Sequence, residues 1–236
     1  EAHPWLAIQK AWAQALTGNL DQVEPTLQVP DQLLSPLEPT VEVRTMQGTI
    51  AAARAHCANL HGDTRRAADY AQQALRQLPD CSSISQSIRS VATSVLGDAS
   101  WINGNLDEAV HAYTEAVRIG QEANNLYMVI IANSNLADIL MEQGQLHRAD
   151  MIYTKSLQMT VRPDGQRSPL AGRLYIGLTR LSYERDQLED ANQYVHHCLD
   201  LCLQWRDTDQ QAVAYAMLAR LEQTRGRPSW RHGRRA

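Results

Sequence analysis

The chain has 236 residues, 44% of them hydrophobic, which suits one sizeable core or an array of repeats and excludes disorder throughout. Its net charge is −4, but five arginines (Arg225, Arg227, Arg231, Arg234, Arg235) crowd the last twelve residues without an acid, so the rest carries −9. A body that acidic argues against direct nucleic-acid binding, because neutralising phosphates needs clustered Lys and Arg. The four cysteines (Cys57, Cys81, Cys198, Cys202) make no disulfide scaffold in a chain this long. Reduced thiols and a cytoplasmic setting are expected. No apolar run approaches the roughly 20 residues of a membrane span, so no membrane contact is expected. No charged-then-apolar leader opens the chain, and its start at Glu1 reads as an excised or processed piece.

Taken in chain order, the elements follow a repeated phrase of Gly, a polar residue, usually Leu, two more residues and a small apolar one. It runs Gly18-Asn19-Leu20-Asp21-Gln22-Val23, then Gly62-Asp63-Thr64-Arg65-Arg66-Ala67. Gly104-Asn105-Leu106-Asp107-Glu108-Ala109 and Gly144-Gln145-Leu146-His147-Arg148-Ala149 follow. Asp186-Gln187-Leu188-Glu189-Asp190-Ala191 lacks the glycine, and Gly226 begins an incomplete copy. Successive starts differ by 44, 42, 40, 42 and 40 residues. The glycine can take the left-handed conformation that ends a helix, and Asn or Asp beside it can cap the next one. Apolar residues then continue in steps of three and four, as in Ala109, Tyr113, Ala116 and Val117, or Ala149, Tyr153, Ser156 and Leu157.

The helix before each turn has its own mark. Eight and seven residues ahead come Leu96-Gly97, Leu136-Ala137, Leu178-Thr179 and Leu218-Ala219, large then small at one height, as interlocking helix pairs need. Pro25, Pro30, Pro36 and Pro39 predict a short or broken second helix in the first copy, and Pro79 stops the second copy. Arg162 to Pro169 reads as an exposed loop, and the last helix is expected over about 208–224. No alternating β-branched run competes, so no sheet is expected. The fold expected is all-α, a right-handed superhelical solenoid of about five and a half helix pairs over 1–226, followed by a basic tail, linker or remnant at 227–236.

These features resemble the tetratricopeptide repeat, except that the standard period is about 34 residues. The longer period and three phrases resemble the sensor region of the large LuxR-family, MalT-like transcription activators. The phrases are His3-Pro4-Trp5-Leu6 with Ala11-Trp12, Gly62-Asp63 through Leu78-Pro79, and Tyr183-Glu184-Arg185-Asp186-Gln187-Leu188. The resemblance spans roughly residues 3 to 226. It implies an intact protein with an N-terminal signalling ATPase and a C-terminal helix-turn-helix. Neither motif set stands in this sequence, and there is no Gly-x-x-x-x-Gly-Lys-Ser/Thr phosphate loop.

In the tetratricopeptide architecture the first helix of each pair lines the concave groove. Positions thirteen, ten, six and three before each turn share one helical stripe there. Six before gives His56, Asp98, Asp138, Arg180 and Arg220, a ladder from acid to base; three before gives Asn59, Trp101, Met141, Tyr183 and Gln223. Arg173, Ser94 and Ser134 share the stripe. The candidate ligand-binding residues are therefore Asp98, Trp101, Asp138, Met141, Arg173, Arg180, Tyr183 and Arg220, with a positive end suited to a carboxylate or phosphate. The other reading is a solvated face whose Asp and Arg pair between repeats. His196-His197-Cys198 with Cys202 invites a metal, but Cys198 falls in the slot that Ala74 and Ala116 fill elsewhere, so a packed thiol and no metal are expected. No phrase matches a catalytic signature, so neither catalysis nor a cofactor is expected.

The expected role is the sensor and protein-interaction segment of a bacterial transcriptional regulator. An effector molecule, peptide or protein would bind in the groove, and the terminal repeats would allow self-association through an unpaired last helix. A free-standing tetratricopeptide scaffold is the alternative.

Overall fold

The computed structural model describes residues 3–80, 82–205 and 208–226; the basic tail and Cys81 lie outside the described residues. Eleven α-helices are described: α1 (Pro4–Leu16), α2 (Val23–Leu34), α3 (Val41–Leu60), α4 (Thr64–Gln77), α5 (Ser83–Ile102), α6 (Leu106–Glu122), α7 (Leu126–Glu142), α8 (Leu146–Met159), α9 (Ala171–Glu184), α10 (Leu188–Trp205) and α11 (Thr208–Gly226). In chain order they make five successive pairs and a lone α11. Among the described residues the β-structure is one isolated bridge, Val161 to Arg167, closing the exposed loop before α9. The sixth turn, expected near Gly226, falls where α11 and the described residues both end.

Each helix pair turns in the way the repeated phrase demands. Gly18, Gly62, Gly104 and Gly144 all have φ between 73° and 80°, and Asp186 takes φ 59° where the fifth copy has no glycine. At Gly104 the turn residue's N–H bonds the Trp101 carbonyl at 2.9 Å, and the next N–H reaches back to Ser100 at 2.8 Å. The same pair of bonds recurs at Gly62, Gly144 and Asp186, satisfying carbonyls that a helix end otherwise leaves bare. Asp63 caps α4 by accepting the Arg66 N–H at 3.1 Å.

The long period is absorbed mainly by long helices. Both α3 and α5 run 20 residues and α10 runs 18, whereas in the fourth copy α8 has only 14 and the loop after it takes up the difference. The proline-rich first copy gives a helix of 12 residues that is short but unbroken, with Pro30 buried inside it.

The chain divides into two compact units, Glu1–Ile139 and Leu140–Ala236, with the division falling inside α7. In the first unit, Ile8, Leu27, Leu34 and Ile50 form the core of α1 to α3. Alanines 51, 52, 55, 67, 71 and 74 then let α3 and α4 approach closely. Tyr113 is fully buried over Gly97, where a Cβ would come within 2.8 Å of the ring. The second unit repeats this device. Tyr153 is fully buried, and a Cβ on Gly177 would lie 2.3 Å from its ring. Leu174, Leu181 and Leu221 are also buried in this unit, each full burial contributing about 1.5–3 kcal/mol.

Candidate cleft on the second unit

On α9, Arg180 and Tyr183 stand three residues apart and so share a face; on α11, Met217 and Arg220 do the same. α11 is seated by Ala214 and Leu221, both fully buried, which fixes the direction in which Arg220 leaves the helix. These four residues line an open cleft of about 470 Å³ together with Met141 and Glu142 at the end of α7, the Gly144 turn, Leu146 of α8, and Glu184. That volume is within the range of small-molecule sites.

Arg220 lies over the Tyr183 ring, its guanidinium carbon 4.6 Å from the centroid. The Tyr183 hydroxyl sits 3.1 Å from Thr224 Oγ1. Hydrogen bonding to Thr224 and then to Arg220, with the Arg220 charge adding to it, holds the Tyr183 phenol below its ordinary range. The buried Tyr153 hydroxyl points to the Met141 sulfur at 3.9 Å, which orients that side chain from beneath. The cleft thus combines soft apolar groups (Met141, Leu146, Met217) with two guanidiniums and two carboxylates.

Of the eight candidates read from the sequence, Met141, Arg180, Tyr183 and Arg220 come together in this cleft. Arg173 is half-buried near the start of α9 and is not part of the lining. Asp98, Trp101 and Asp138 belong to the first unit. Asp98 is turned to protein partners: it accepts from Asn59 Nδ2 at 2.6 Å, from Asn135 Nδ2 at 3.1 Å and from the Tyr113 hydroxyl. One carboxylate thereby joins α3, α5, α6 and α7. Trp101 packs against the cluster of Tyr113, Ala132 and Ile139, and Asp138 is buried at 8% exposure.

The positive end read from the sequence is compensated in the structure. Glu142 and Glu184, both two residues before a turn, line the same cleft as Arg180 and Arg220, so its formal charges balance. They lie off the stripe of positions thirteen, ten, six and three before each turn from which the candidates are drawn. Leu146 was visible as the leucine of the repeated phrase, and Met217 belongs to the buried face of α11.

The first unit has a smaller cleft of about 310 Å³ around Arg54, Cys57, His61 and Tyr70. Its cation is already committed: Arg54 binds Glu24 through two nitrogens at 2.9 and 2.8 Å, and Asp31 at 2.8 Å. Burial acts to lower the Arg54 pKa, but the bonds to Glu24 and Asp31 raise it overall. Burial, with Glu24 adding to it, pushes the Cys57 thiol up. On α10, Cys198 and Cys202 are buried with their sulfurs 3.7 Å apart, and Cys198 fills the slot of Ala74, Ala116 and Ser156 at zero exposure.

Comparison with known proteins bears on this geometry. A family model described as the MalT-like TPR region matches residues 48–229. Two proteins named HTH-type transcriptional regulator MalT, from Vibrio parahaemolyticus serotype O3:K6 and Vibrio cholerae serotype O1, are each 24% identical over 225 and 224 residues. These matches cover 95% and 94% of this chain, but the chain spans only 24% of each relative. Among solved structures, the apo form of RapI superposes with a TM-score of 0.69 at 12% identity, covering 89% of this chain and 74% of that one. A signal-transduction ATPase with numerous domains and a tetratricopeptide repeat sensor, from Pyrococcus horikoshii, also gives 0.69 at 14% identity, covering 91% of this chain and 32% of that one. These likenesses establish the fold as an all-α, tetratricopeptide-like solenoid. Among the described residues no helix is long and apolar enough to cross a membrane.

Proposed function

The chain belongs to the family of MalT-like tetratricopeptide regions, and from that premise we propose that it is the sensing segment of a larger cytoplasmic transcriptional regulator, with its effector site in the cleft between α9 and α11. The observation that carries this reading is the convergence of Met141, Arg180, Tyr183 and Arg220, from three successive first helices, on one concave site. A packed core does not need such a set. Side chains of this size and polarity, left half-exposed around a cleft, are what a ligand site requires.

The mechanism follows from where the residues stand. A ligand held by Tyr183 on α9 and Arg220 on α11 stabilises one spacing of those helices over others, and a ligand shifts an equilibrium only by that difference in affinity. Attached ATPase and DNA-binding domains then read the change. In this proposal the segment senses rather than catalyses, does not itself touch nucleic acid, and self-associates through its terminal helix.

Thermal-shift screening of the chain against sugars, amino acids, nucleotides, acidic metabolites and peptides tests the reading. A saturable rise in melting temperature that disappears in Tyr183→Ala supports it, since a ligand that binds only the folded state stabilises by mass action. A rise that persists in Tyr183→Ala and in Arg220→Ala places the effector elsewhere and ends this proposal.

A further inference from the structure

We infer that the α9–α11 cleft is built for a small zwitterion with an apolar body, an unblocked hydrophobic amino acid or dipeptide. The inference rests on the reading of that cleft as the effector site and adds the chemistry of what enters it.

Four charged residues line the cleft, and they are not equivalent. Arg180 and Glu142 are already engaged with protein groups. Glu184 and Arg220 are exposed, and among the described residues neither takes part in an ion pair. They flank Tyr183 from different helices: Glu184 is the next residue on α9, and Arg220 comes from α11 over the ring. The cleft therefore offers an incoming molecule one carboxylate and one guanidinium, with the apolar surface of Met141, Leu146 and Met217 beside them. A guanidinium matches a carboxylate through paired N–H donors, and a carboxylate accepts from an ammonium. Methionine is unbranched and polarisable, so it adapts to aliphatic side chains of different shape.

The same features weigh against two other ligand classes. A polyanion such as a nucleotide would bring its phosphates against Glu142 and Glu184 as well as the arginines, and like charges repel at this range. A neutral sugar gains much of its affinity by stacking on an aromatic face. Here Arg220 covers one face of Tyr183 at 4.6 Å.

Calorimetric titration of the 236-residue chain with Leu-Leu, N-acetyl-Leu-Leu and Leu-Leu-amide tests the inference, with a neutral disaccharide as the comparison. The expected result is saturable binding of Leu-Leu, weakened about tenfold or more by either blocking group, as loss of a hydrogen bond to a charged partner predicts. Acetylation should lose its effect in Glu184→Gln, and amidation should lose its effect in Arg220→Gln. Both positions are exposed, and matching melting curves for the variants would confirm that they fold. Equal binding of the blocked and unblocked dipeptides overturns the zwitterion inference. So does binding of the disaccharide alone, lost in Tyr183→Ala, which leaves the cleft standing as the effector site. If no probe that binds is affected by Tyr183→Ala, the reading of the cleft falls, and the inference with it.

Discussion

The Asn59 amide donates to Asp98 at 2.6 Å, so a residue three positions before one turn meets a residue six positions before the next. Tyr183 and Arg220 stand in the same relation at the other end of the chain, with a guanidinium over a ring in place of an amide on a carboxylate. One backbone arrangement thus carries two chemistries, chosen by the side chains placed on it.

The Asp98 contact predicts a structural cost. Asp98→Ala leaves the Asn59 and Asn135 amides and the Tyr113 hydroxyl without their acceptor in a half-buried site. Leaving such donors unsatisfied costs about 1–3 kcal/mol, and urea unfolding should register a loss of that size. A loss below about 0.5 kcal/mol would mean that water replaces the carboxylate freely.

At the other end, Arg220→Ala removes the exposed cation from the half-buried Tyr183 ring. Unfolding should show a loss of only about 0.5–1 kcal/mol, the range for such pairs in contact with water. The Tyr183 phenol should also titrate at higher pH, since the Arg220 charge is one of the groups lowering it. Absorbance titration of the tyrosinate in the two proteins checks this. An unchanged Tyr183 midpoint would count against the contact.

The fifth turn offers a gain. Asp186 occupies φ 59°, a region that costs a side-chain-bearing residue roughly 1–2 kcal/mol and costs glycine little. Asp186→Gly should therefore stabilise the chain by up to about 1 kcal/mol. Gly104→Ala, at φ 80° with open space around it, should destabilise by a similar amount through the backbone alone. Paired melting curves would settle both signs.

His56 makes stability depend on pH. Burial lowers its pKa, and its ring stacks on Trp12 with centroids 5.9 Å apart. The unfolded chain then binds its proton more readily than the folded one. Stability is therefore complete above about pH 6.5, the ordinary histidine value, and falls as the pH drops below it toward the depressed folded value. Denaturation in urea at about pH 7.5 and about pH 5 should show a smaller difference for His56→Gln than for the parent. Equal differences would assign the pH dependence to other groups.

Much of this architecture was legible because it is local. A turn glycine, a leucine two residues on and a small residue after it act within one helix pair, so Gly62, Gly104 and Gly144 announced their turns in the sequence, and even Asp186 was found by its place in the register. The period fixed which residues share a helical face, and so it brought Met141, Arg180, Tyr183 and Arg220 together as candidates. Membership of the MalT-like family was visible in the same way, through phrases that lie within single repeats.

What one repeat does to the next was not legible. The same stripe turns Asp98 toward three protein donors in the first unit and leaves Arg220 exposed at a cleft in the second. Glu142 and Glu184 balance the arginines from positions off that stripe. These outcomes depend on distances between helices about 40 residues apart in sequence. Helical periodicity determines the direction in which a side chain leaves its own axis. Only the packing of neighbouring helices decides what it meets there.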